Sequence, residues 1–118
     1  MFIDRPVGLS QMLDAAKEAV FLARHRQKSD LQMNQLLAVS LVECLEIIGE
    51  AAARIPKKRQ QELSQIPWQK IVNIRAYLNQ TEIDINLDII WEIVTTDLPL
   101  WIHQLELILT SESPVMSE

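Results

Sequence analysis

Residues 37–55 read Leu-Ala-Val-Ser-Leu-Val-Glu-Cys-Leu-Glu-Ile-Ile-Gly-Glu-Ala-Ala-Ala-Arg-Ile, and their spacing decides the class of fold. Apolar residues recur at Leu37, Leu41, Cys44 or Leu45, Ile48, Ala51 or Ala52, and Ile55, in steps of three and four. That period lines one face of an α-helix, whereas a half-buried strand alternates at every second residue. Pro56 has no amide hydrogen to continue the ladder and ends the segment. Ser29-Asp30 upstream offers side-chain oxygens to cap its start.

The same period recurs on both sides. Leu9, Leu13, Ala16, Val20 and Ala23 or Arg24 mark a first helix from about Ser10 to Lys28, and Arg24, Arg26 and Lys28 suit its negative C-terminal end. Residues 56–64 are charged and long enough for one or two helical turns, and Pro67 fits the first position of a third long helix holding Trp68, Ile71, Val72, Ile74 and Leu78. Residues 79–86 are polar and β-branched and read as a loop. Asn86 or Asp84 caps a last helix, whose inward row is Leu87, Ile90, Trp91, Val94, Leu98, Ile102, Leu105 and Leu109. Pro99 should break or kink it. Residues 111–118 lack periodicity and are expected to be a disordered tail.

Two glycines in 118 residues leave little material for tight β-turns, and one domain is all that this length supports. The expected fold is all-α: one domain over residues 1–110, an up-down antiparallel bundle of four to five helices joined by short connections. Eleven basic against sixteen acidic residues give a net charge of −5, so the molecule as a whole does not attract nucleic acid or anionic membrane. No stretch has the length and apolarity of a membrane span, the N-terminus is not signal-like, and Cys44 has no partner for an internal disulfide. A cytoplasmic location follows as an expectation.

Arg75 stands seven residues after Trp68 and is expected on the same apolar row, where a cation must be paired, as with Glu46 or Glu50, or sit where the row meets a cleft or another subunit. Glu43, Glu46 and Glu50 stack along one side of their helix. Carboxylate di-metal bundles also need Glu-x-x-His pairs on other helices, and here His25 and His103 stand alone, so no metal is expected. Neither a nucleophile beside a base nor a glycine-rich phosphate loop occurs, and no cofactor is expected. Arg54, Lys57, Lys58 and Arg59 read as solvating charge rather than as a nucleic-acid patch.

Several ordered blocks carry a resemblance: Leu45-Glu46-Ile47-Ile48-Gly49-Glu50-Ala51-Ala52, Ile66-Pro67-Trp68, Arg75, Leu87-Asp88-Ile89-Ile90-Trp91-Glu92 and Asp97-Leu98-Pro99. Together they resemble the HepT-like proteins of the HEPN superfamily over about Met12 to Leu109. The resemblance implies a helical bundle, a homodimer, and a toxin ribonuclease encoded beside an MNT-type nucleotidyltransferase antitoxin. The family's signature is an arginine followed, usually after four residues, by a histidine, commonly as Arg-Asn-x-x-x-His-x-Tyr. Arg75 matches the arginine. Gln80 stands at the histidine, Ala76 at the asparagine, and Glu82 at the tyrosine that the partner adenylylates in some members.

Those departures bear on chemistry. Metal-independent RNA cleavage needs a proton taken from the 2′-hydroxyl, charge stabilised on the phosphorane-like transition state, and a proton given to the leaving oxygen. An arginine supplies the second; a glutamine amide does not titrate near neutral pH and supplies neither proton step. Since general acid-base catalysis contributes roughly 10²–10⁴ in rate, Gln80 implies weak or lost cleavage. Glu82 and Asp84 add repulsion toward phosphate. Two readings stay open: a toxin ribonuclease with reduced activity, and a non-catalytic dimeric module that binds a nucleotidyltransferase.

Overall fold

A computed structural model describes residues 7–78 and 86–111, which are helical with short connections and contain no strand. The all-α expectation holds. Elements follow in the order α1 (Val7–Ala23), α2 (Lys28–Met33), α3 (Gln35–Ala53), α4 (Lys57–Glu62), α5 (Trp68–Val72), α6 (Ile74–Leu78), α7 (Leu87–Glu92), a π-helical turn (Ile93–Asp97) and α8 (Leu98–Ser111). Residues 112–118 lie outside the described residues, and Ser111, expected in the tail, is the last residue of α8.

The first two long elements differ from the sequence reading at their ends. α1 stops at Ala23, because His25 takes φ 61° and turns the chain, so Arg24, Arg26 and Lys28 leave the helix. Ser29 and Asp30 then form part of the short α2, where the Asp30 carboxylate accepts from Gln27 N at 2.7 Å. The cap of α3 is Asn34, whose side-chain oxygen accepts from Leu37 N at 3.0 Å and satisfies an otherwise unpaired amide of the first turn. α4 fills the charged stretch after Pro56. Gln60 Nε2 donates to Ile55 O at 3.0 Å and to Ala52 O at 3.3 Å, so α4 folds back over the open carbonyls at the end of α3.

α1 and α3 form the centre. Leu9, Met12, Ala16 and Ala19 of α1 and Leu41, Leu45, Ile48 and Ala52 of α3 are buried in one continuous core. Gly8 meets Ile55, and Arg54 donates to Gln11 at 3.2 Å, so α1 begins where α3 ends and the two run antiparallel. α8 packs on α1; α5 and α6 pack on α3.

The last helical rod is capped by Asn86, whose side chain accepts from Ile89 N at 3.1 Å; Asp84 lies outside the described residues. Pro99 does not break it. The rod widens just before the proline: Leu98 N reaches back five residues to Ile93 O, relieving the clash a proline ring makes with the carbonyl four residues earlier. After this turn the fully buried row is Leu98, Trp101, Leu105 and Ile108, while Ile102 and Leu109 sit at its half-buried edge. The apolar face is wider than one row, and packing selects the side carrying the tryptophan.

Candidate active site

Arg75 does not face the core. The expected single helix from Trp68 to Leu78 breaks at Asn73, whose amide and side-chain nitrogen both return to Gln69 O, at 3.2 and 3.0 Å. Asn73 O then accepts from Ala76 N at 2.9 Å and starts α6 in a new register. In that register Ile74 and Leu78 are buried and the residue after Ile74 is forced outward: the Arg75 side chain is 72% exposed. Its partner is Glu46, as the charge argument expected, with Nε 3.7 Å from the carboxylate.

Glu46, Gly49, Glu50 and Ala53 of α3 with Val72, Ile74 and Arg75 line an open groove of about 170 Å³. Its floor exists because α3 has a glycine there. A Cβ on Gly49 would stand 2.9 Å from Ile74 Cγ2 and 3.0 Å from Ile71 O, so α5 and α6 approach α3 more closely than any side chain permits. The isolated glycine in a helical pattern was the one sequence signal for this groove. A second residue pair went unforeseen: Lys70 Nζ lies 2.9 Å from the Asp97 carboxylate, tying α5 to the π-turn.

The arrangement presents an exposed cation at a rim with an apolar floor beside it. Glu43, Glu46 and Glu50 share one side of α3, and Glu46 meets the basic Arg75. Among the described residues no three potential metal ligands cluster. Gln80 and Glu82 lie outside the described residues; the chain departs for them at Leu78 and returns at Asn86, whose amide donates to Leu78 O at 2.7 Å. Tyr77 is exposed on α6. His25 and His103 are exposed on other elements, and Cys44 is buried, its thiol pushed up by desolvation and then by Glu18 and Glu43. No helix among the described residues is long and apolar enough to cross a membrane.

A helical bundle with an arginine at the edge of a groove, on a helix whose last carbonyl is bonded by the amide ahead of the next, is the class of architecture implied by the HEPN resemblance. The chain belongs to the Ribonuclease HepT-like family, which it matches over residues 12–108. It is similar to the Caldanaerobacter subterraneus subsp. tengcongensis protein named Putative RNase TTE0752, at 34% identity over 83 residues, 70% of this chain and 74% of that one. Putative RNase MJ1380 of Methanocaldococcus jannaschii is 24% identical over 100 residues, covering 85% and 92% of the two chains. Probable ribonuclease HepT of Thermococcus cleftensis is 30% identical over 60 residues, covering 51% and 54%. No solved structure matches significantly. Family membership supports a ribonuclease-type function.

Proposed function

We propose that this chain is the toxin component of a prokaryotic toxin-antitoxin pair, a metal-independent endoribonuclease type whose cleavage is weakened by Gln80. The observation that carries the reading is the placement of Arg75. An arginine that leaves the core, gives its inward position to Ile74 and meets Glu46 only at 3.7 Å contributes little to folding and is free to meet a phosphate. Charge on the transition state would be stabilised by its guanidinium, while Gln80 orients groups without exchanging protons.

Gln80→His tests this directly. Purified wild type should cleave RNA negligibly, and Gln80→His should raise cleavage far more than Arg75→Ala lowers it. The restored rate should fall on both sides of the histidine range, since one imidazole must be neutral and its symmetry mate charged. Robust cleavage by the wild type, abolished by Arg75→Ala, would overturn the assignment of a weakened site.

The assembly belonging to this reading is a homodimer with Arg75 near the twofold axis, located in the cytoplasm and controlled by an MNT-type nucleotidyltransferase. Exposed Val72 in the groove, with exposed Ile47 next to Glu46 in the chain and exposed Tyr77 two residues after Arg75, supports a buried contact there. With Glu82 in place of tyrosine, inhibition should proceed by binding rather than by adenylylation; intact-mass measurement after incubation with the neighbouring gene product and ATP tests it. The same apolar side chains favour a second reading, a non-catalytic dimeric module that retains only partner binding. Failure of Gln80→His to cleave, together with a stable complex with the nucleotidyltransferase, would select it.

A further inference from the structure

The turn between α1 and α2 carries Arg24, His25, Arg26 and Lys28, all exposed, in a chain whose net charge is −5. Beside them Phe21 is 63% exposed, and the Arg24 guanidinium lies over its ring, 5.7 Å from the centroid. A phenylalanine left in solvent at the end of a helix is not explained by the core. The carboxylates near this turn are engaged: Asp30 accepts from Gln27 N, and Asp88 pairs with Lys28 at 3.1 Å. Arg24 and Arg26 meet no carboxylate among the described residues.

Lys28 also fixes where this patch stands. Its partner Asp88 is two residues beyond Asn86, the residue whose amide bonds Leu78 O, and Leu78 ends the helix that carries Arg75. The basic turn thereby lies beside the start of α7, where the chain returns at Asn86. The other basic run, Arg54 to Arg59, contains no aromatic residue, and its two arginines are engaged, Arg54 with Gln11 and Arg59 with Glu62, each at 3.2 Å.

We propose that Phe21, Arg24 and Arg26 form a single-stranded RNA subsite that holds nucleotides flanking the one at Arg75. The ring stacks a base and the two guanidiniums contact backbone phosphates, the combination that sequence-tolerant single-strand binders use. The inference rests on the ribonuclease reading and extends it from the reacting phosphate to the flanking strand.

The test is fluorescence anisotropy with a short labelled oligouridylate across a salt series. Arg24→Ala/Arg26→Ala should reduce the slope of log affinity against log salt by about 1.4, the value for two lost phosphate contacts on a single strand. Phe21→Ala should weaken binding about tenfold with the slope unchanged, because stacking releases no counterion. Lys57→Ala/Lys58→Ala should leave affinity within about twofold, as expected for charges off the strand's route. Wild-type binding that the Phe21 and arginine variants leave intact overturns the subsite and spares the ribonuclease reading. A Phe21→Ser variant that changes oligomeric state with RNA affinity unchanged makes the patch a protein contact and likewise overturns it. Absence of RNA binding by wild type, together with absence of cleavage by Gln80→His, removes the ribonuclease reading and the subsite with it.

Discussion

Gly49 and Ile74 touch where two helices could otherwise not meet: a Cβ on the glycine would lie 2.9 Å from Ile74 Cγ2. Gly49→Ala gains about 1 kcal/mol of helix propensity and incurs an overpacking cost of about 1–3 kcal/mol, because Ile71 O blocks the other side as backbone. A lower urea midpoint with unchanged slope is the expected outcome; a rise would mean that α5 and α6 yield freely.

Arg75 and its neighbour should separate cleanly in a stability measurement. Arg75→Ala and Glu46→Gln break an exposed pair and should each cost less than about 1 kcal/mol. Ile74→Ala empties a buried position and should cost about 2–5 kcal/mol. Equal losses in denaturant titrations would return Arg75 to a structural role.

The Lys70–Asp97 pair is the least exposed at its carboxylate among the ion pairs described, with the Asp97 side chain 21% exposed. Asp97→Asn should therefore destabilise by about 1 kcal/mol or more, against less than about 0.5 kcal/mol for Glu106→Gln, whose pair with Lys17 is half open to solvent. Thermal unfolding at low and high salt distinguishes them, since the more exposed pair is screened first.

Cys44 should make stability fall in alkali. Burial holds its thiol above the ordinary range in the folded chain, so the unfolded chain releases its proton first as pH rises through about 8.5. With fewer protons bound in the unfolded state, stability declines above that pH. Cys44→Ser measured beside wild type isolates the effect, and a disulfide reagent should label the native thiol slowly.

The long helices were legible because their apolar period is unambiguous, and Glu46 or Glu50 could be named as a partner of Arg75 because both lie on the neighbouring helix face, although the exposed cation that meets Glu46 does not need one. What was not legible depended on competition between neighbours. Asn73 interrupts a helix with no proline or glycine to mark the place, and that one interruption exchanges the roles of Ile74 and Arg75. Asn34 displaced Ser29-Asp30 as the cap of α3 because a short helix intervened. Trp101 displaced Ile102 in the core because a broad apolar face offers two rows, and only the packing of α8 on α1 chooses between them. The groove itself depends on an atom that is absent, the Cβ of residue 49, facing residues more than twenty positions away.

The hydrogen bond between Asn86 N and Leu78 O works as a socket. It joins the end of α6 to the start of α7 through main-chain groups alone, so any residue other than proline at position 86 can donate it.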